Sequence, residues 1–374
     1  MLRTDEPLYW PRFPTMTPTS DQRRAFRPGL GIAVFVLLAV AGLFYVKWSP
    51  YYHRAFVAAE NHSIGASILM GADAAPPAPS LAAALDYALA YGKAIWQAMV
   101  LGLLLGSAVQ ALLPRRWIVR ALGGTGLGSV VAGGLLSVPG MMCTCCAAPV
   151  VAGLRRCQAA PGSAIAFWLG NTMLNPATLV FMGFVLGWQW TGLRLALGIV
   201  MVFGLGWLIN RMSRGETRGF DEAQARAMRV GAVDSGEDEA HPFARWLRLF
   251  ARMALRLIPE YIVLVLLLGA ARAWLFPHVD AGIGNELAWI VGLAVAGLLF
   301  VIPTAGEVPI VQAMLSLGIA AGPAAALLMT LPPVSLPSLA MVARSFRPAE
   351  LATLVAGVLV MALAAAGLAI ALGF

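Results

Sequence analysis

The chain has 374 residues, 60% of them hydrophobic and only 12% charged, with a mean hydropathy of +0.79. That balance excludes a soluble domain and predicts a polytopic membrane protein. The net charge of +8 falls in loops between apolar runs, as in the cytoplasmic-side bias of membrane proteins, so it does not indicate nucleic acid.

The first apolar run, 29–46, follows Arg23, Arg24 and Arg27. Ala39-Val40-Ala41 loosely resembles a signal cleavage site, but the run continues through Phe44 to Lys47, which favours an anchoring first span. Spans of about 20 apolar residues are expected at 29–46, 94–113, 163–187, 191–210, 249–270, 322–343 and 350–372. Two further apolar stretches, 121–154 and 285–317, are broken near their middles, at Pro139-Gly140 and from Pro303 to Gly306. Each half is too short to cross comfortably, which predicts two re-entrant helical hairpins.

Arginine placement orients these elements. Arg3, Arg12, Arg23, Arg24 and Arg27, then Arg115, Arg116 and Arg120, then the loop from Arg211 to Arg256 are expected in the cytoplasm. The basic-poor segment 47–93 then lies outside, and the two hairpins open to opposite faces. Setting Pro149 against Pro309 also pairs Val151 with Val311, Ala160 with Ala320, Gly162 with Gly322 and Leu179 with Leu339, without a gap. The expected fold is therefore all-α and polytopic, an inverted repeat of helical units that each contain a broken hairpin. Its parts are an N-terminal segment with the first helix and an external loop (1–93), a first repeat (94–211), a cytoplasmic linker (212–248) and an inverted second repeat (249–374).

Three of the four cysteines, Cys143, Cys145 and Cys146, sit beside Pro149 within apolar sequence. Thiolates are soft ligands, suited to Cu(I), zinc and comparable centres. The spacing is not that of a zinc finger and no second ligand cluster follows, so neither a structural metal nor a cofactor is expected. Simple packing of small buried thiols is the alternative. Asn171 and Asn175 are four apart and share a helix face, for substrate contact or an interhelical hydrogen bond; Ser335 occupies the equivalent stretch of the second half. Glu307, in the second hairpin, is a candidate for proton coupling or for capping a half-helix, and Glu260 is a weaker proton-site candidate. The histidines His53, His62, His241 and His278 fall in expected loops and receive no role.

Cys143-Thr144-Cys145-Cys146-Ala147-Ala148-Pro149, then Gly153-Leu154-Arg155-Arg156 and Leu174-Asn175-Pro176, resembles the predicted-permease family that includes the ArsP organoarsenical efflux proteins. Ile302-Pro303, Gly306-Glu307 and Ser335-Leu336-Pro337 resemble its second-half motif, so the likeness spans roughly 90–373. The resemblance implies an inverted-repeat permease, with motif cysteines implicated in recognising trivalent organoarsenicals; Cys145, Cys146 and Pro149 fall on the motif, with Cys143 beside them. Thr304-Ala305-Gly306 departs from it where a cysteine is often found.

The reading is a secondary transporter, not an enzyme, in the bacterial inner membrane with a cytoplasmic N-terminus. It would move a small soft or thiol-reactive solute, with Cys143, Cys145, Cys146, Pro149, Asn171, Asn175 and Ser335 as the binding set. The partners are that solute and the lipid bilayer; homo-oligomerisation stays open. Two alternatives stand beside it: a transporter of a thiosulfate-like sulfur anion, and a membrane thiol–disulfide oxidoreductase using the Cys143/Cys146 spacing.

Overall fold

The computed structural model describes residues 28–65, 80–213, 242–275 and 283–374. The N-terminal arginines up to Arg27, most of the expected linker, His241 and His278 lie outside the described residues. Among the described residues all regular structure is helical.

The first helix runs as α1 (Pro28–Leu43), a π-turn (Phe44–Trp48) and α2 (Ser49–Asn61). It thus continues well past the expected end at residue 46, because Lys47 is buried within it instead of marking its boundary. The next helix, α3 (Leu81–Leu112), likewise begins earlier than 94, its N-cap formed by Ser80 accepting from the Ala83 N–H. Next come α4 (Arg115–Leu122), α5 (Leu127–Ser137), α6 (Thr144–Arg156), α7 (Pro161–Met173), α8 (Pro176–Val185), α9 (Trp188–Ile199) and α10 (Gly206–Met212). The second half contains α11 (Pro242–Leu275), α12 (Leu287–Leu299), α13 (Glu307–Ser316), α14 (Ala321–Thr330), α15 (Leu336–Val342) and α16 (Pro348–Leu372).

Among the described residues six helices are long and apolar enough to cross a membrane, and the α4–α5 pair, bent by 113°, would make a seventh. The expected span at 322–343 is not one of the six. It is two short helices, α14 and α15, because Pro332 and Pro333 supply no backbone N–H to continue the ladder. Both stretches expected to break do so: α5 and α6 are separated at 138–143, α12 and α13 at 300–306.

The element order repeats. Helices open at Leu127, Pro161, Pro176 and Trp188 in one half and at Leu287, Ala321, Leu336 and Pro348 in the other, a constant offset of 160 residues. The equivalent glycines Gly162 and Gly322 each donate to an asparagine, but the two asparagines are not equivalent in the repeat. The Gly162 N–H donates to Asn210 Oδ1 at 2.7 Å, and the Gly322 N–H to Asn285 Oδ1 at 3.0 Å.

Packing then draws the broken helices to the centre. Helix α3 lies along both α11 and α6. Its Gly102 and Gly106 face the Cys146 and Pro149 carbonyls so closely that a Cβ at either would overlap them. Small residues four apart permit this backbone approach, which in a membrane replaces the hydrophobic drive for helix association. Across the two halves α6 meets α15 and α8 meets α13, so all four interrupted segments converge.

Candidate functional site

The first break is built by Pro139 and Gly140, which end α5 in a short 3-10 turn, and by Met141 at φ 47°. A methionine in the left-handed region costs roughly 1–3 kcal/mol and persists only where the surroundings impose it. Trp48 of the π-turn holds this bend by donating to the Pro139 carbonyl at 2.8 Å. Cys143 follows as the N-cap of α6 and Cys146 lies one turn on, with their sulfurs 3.0 Å apart. Cys145 turns elsewhere: its Sγ lies 3.7 Å from Ser335 Oγ, and Thr144 Oγ1 lies 3.4 Å from the same hydroxyl. All three thiols are buried in protein. They do not converge, and among the described residues no three His, Cys, Asp or Glu side chains form a metal-holding group. Pro149 sits inside α6 and deprives the Cys145 carbonyl of its helical donor.

The second break carries different chemistry. Tyr87 donates to the Val301 carbonyl at 2.5 Å and Tyr91 to the Ile302 carbonyl at 3.4 Å. Lys47 Nζ donates to Thr304 Oγ1 and to Tyr51 Oη, each at 3.1 Å. Ala305 takes φ 66°, and α13 begins at Glu307. The Glu307 carboxylate is paired with Arg194 of α9 at 2.6 Å, both side chains being buried, and Arg194 Nη2 also donates to the Thr172 carbonyl at 2.8 Å. Arg194 Nε has no partner among the described residues.

The remaining two interruptions complete the centre. Asn175 caps α8, its Oδ1 accepting from the Ala177 and Thr178 N–H groups at 3.1 and 3.3 Å, while its Nδ2 has no partner among the described residues. Ser335 caps α15 in a reciprocal box with Ser338. Between the four interruptions lies a cavity lined by Cys143, Thr144, Thr172, Asn175, Thr304 and Glu307 among others. Its volume is about 10 Å³, room for no more than one water. Any larger solute needs the breaks to part.

The expected residues separate into three groups. Cys143, Asn175 and Glu307 line the cavity; Cys146 and, through Thr144, Cys145 and Ser335 stand directly behind its wall. Pro149 and Asn171 do not line it: Pro149 lies farther along α6, and Asn171 is buried against the first break, its Nδ2 donating to the Phe167 carbonyl at 2.9 Å and its Oδ1 unpartnered. Glu260 is remote from the cavity, in an ion pair with Arg344 at 3.4 Å where the two side chains are 41% and 63% exposed.

Sequence reasoning missed Lys47 and Arg194. Both carried the signal of an ionisable residue within an apolar run. Lys47 was read as the end of a span, and Arg194 lay within the expected span 191–210 without being singled out.

The family model described as "Predicted permease", ArsP_1, matches residues 31–169 and 80–371. The UPF0718 protein YraQ of Escherichia coli (strain K12) is 54% identical over 314 residues, covering 84% of this chain and 87% of that protein. No solved structure matches the chain. A chain of several membrane-crossing helices that agrees with this family over nearly its whole length belongs to it: the protein is a member of the ArsP_1 family of predicted permeases, an integral multi-pass membrane transporter.

Proposed function

We propose that the permease moves a small soft or thiol-reactive solute past the Cys143–Cys146 pair, with trivalent organoarsenical efflux as the case the family resemblance suggests. The observation that carries this reading is the pair itself: two thiols 3.0 Å apart at the start of α6, with Cys143 on the wall of the central cavity. Two soft donors at that spacing suit a centre that takes two sulfur ligands. Cys145, directed to Ser335, would act as a neighbour and not as a third ligand.

In this reading α5–α6 and α12–α13 are re-entrant hairpins that dip from opposite faces of an inverted repeat, segments 94–211 and 249–374. The constant offset of helix starts and the opposed arginine distribution support it. The N-terminus would face the cytoplasm of a bacterial inner membrane. Non-helical backbone at membrane depth is tolerated where it lines a path, and four such segments meet here. Glu307 serves as the coupling residue: protonating its carboxylate would release Arg194 and loosen α9 from the second break. Transport then alternates as the breaks part toward one face and then the other.

The test is flux in proteoliposomes together with resistance in a bacterial host lacking its own arsenical pumps. The intact chain is compared with Cys143→Ser, Cys145→Ser, Cys146→Ser and Glu307→Gln. Loss of flux in Cys143→Ser and Cys146→Ser is expected. If no arsenical, soft metal or sulfur compound shows cysteine-dependent flux, the reading is wrong.

A further inference from the structure

Three helices of eight or more residues start at the one cavity. Cys143 precedes α6, Asn175 precedes α8, and Glu307 opens α13, and all three residues line the wall. Aligned peptide dipoles place about half a positive charge at each start, although at α8 the first N–H groups are already taken by Asn175. In membranes, the starts of interrupted helices are a recurrent device for holding anionic groups.

A second feature is independent of the dipoles. Asn175 is completely buried, and its oxygen is occupied by the α8 N–H groups, yet among the described residues its Nδ2 donor has no acceptor. Such a group is retained at a cost unless something supplies the acceptor. A third feature is net charge. Lys47 is 5% exposed and bonded only to the hydroxyls of Tyr51 and Thr304; no carboxylate pairs with it among the described residues. Glu307 is the one carboxylate on the cavity wall, and Arg194 already neutralises it. Lys47, bonded to Thr304 of the wall, is thus a positive charge that no carboxylate among the described residues offsets.

We propose that the cavity takes its solute as a small anion, the negative end among Asn175 Nδ2, Thr304 and the helix starts, a soft end against Cys143 and Cys146. The proposal rests on the reading above that solute passes this cavity, and it narrows the solute's class. A neutral arsenical would bring no counter-charge to Lys47.

The test uses the full chain in proteoliposomes and four probes. Thiosulfate and thiocyanate are small anions with a soft sulfur end, sulfate is a hard anion, and methylarsonous acid is neutral. Asn175→Asp keeps the capping oxygen but sets a negative charge where the anion would sit. Lys47→Met removes that positive charge, and Lys47→Arg restores it. The wild type is expected to carry at least one of the two soft anions faster than sulfate. Asn175→Asp and Lys47→Met should each lower that flux by about tenfold or more, the scale of one charge-assisted contact. Lys47→Arg should recover most of it. Monodisperse elution of the variants, and binding of the soft anion measured by calorimetry on wild type and Lys47→Arg, guard against misfolding as the cause. Cysteine-dependent flux of methylarsonous acid with no flux or binding of either soft anion would overturn the anion proposal and leave the soft-solute reading in place. Equal loss of neutral and anionic flux in both variants would also overturn it. No cysteine-dependent flux of any probe would end both.

Discussion

The two breaks occupy the same place in a repeated framework and carry opposite chemistry. At an offset of 160 residues, Thr144-Cys145-Cys146-Ala147 corresponds to Thr304-Ala305-Gly306-Glu307. The first break is soft, with facing thiols and no charged side chain of its own. The second has no thiol and is held by charge: Glu307 to Arg194, and Thr304 to Lys47. They are also secured differently. Helix α6 is pressed against the glycines of α3, backbone to backbone, whereas the second break hangs from the hydroxyls of Tyr87 and Tyr91 and the ammonium of Lys47. Backbone packing tolerates little side-chain change, while a strand of side-chain bonds can be remade. In the proposed reading the thiols of the first break receive the soft part of the solute and the second break supplies the movement.

Substitutions that attack this contrast should differ in size. The largest effect is expected from Arg194→Leu, which strands Glu307 in a buried site; breaking such a pair costs about 3–5 kcal/mol. Thermal unfolding in detergent should shift markedly, and the double variant Arg194→Leu, Glu307→Gln should recover much of the loss. A double variant no better than Arg194→Leu would show that the pair is not the source of the cost. Next comes Gly102→Val, which drives a side chain into the Cys146 carbonyl; overpacking of this kind costs about 1–3 kcal/mol. Because it bears on the capture side, it should reduce thiol-dependent flux along with stability. Unchanged flux would separate α3 packing from the thiol pair.

Asn175→Ala should cost about 1 kcal/mol, the worth of an N-cap, read as a modest fall in unfolding temperature. At the small end, Glu260→Gln removes an exposed ion pair worth less than about 1 kcal/mol. Neither stability nor flux should change measurably, and a strong flux defect would restore Glu260 as a coupling residue.

Much of this arrangement is legible in the amino-acid sequence. Helix-breaking residues in apolar runs placed both breaks, and the alignment of Pro149 with Pro309 anticipated the constant offset of helix starts. Cys143, Asn175 and Glu307, which line one cavity, were each singled out because polar or soft groups are costly at membrane depth. What stayed hidden was partnership. Whether Glu307 is a free carboxylate or half of an ion pair depends on Arg194, 113 positions away, and nothing local records it. Lys47 misled because a lysine after an apolar run reads as the membrane surface; a π-turn and two distant hydroxyls make it an interior residue. The break between α14 and α15 was missed because the hydrophobicity of 322–343 outweighed its prolines. Glu260 reads from the sequence as shallower and interfacial, a weak proton-site candidate, and it stands partly exposed beside Arg344, away from the cavity.

The central claim is that the facing sulfurs of α6 receive the solute. It is tested most directly by single-cysteine-deletion flux, comparing Cys143→Ser and Cys146→Ser with Cys157→Ser, whose thiol is buried away from the cavity near the Val109 carbonyl. The account predicts that flux of a soft solute collapses in the first two variants and persists in the third. Equal flux in all three, with normal expression and elution, would contradict it.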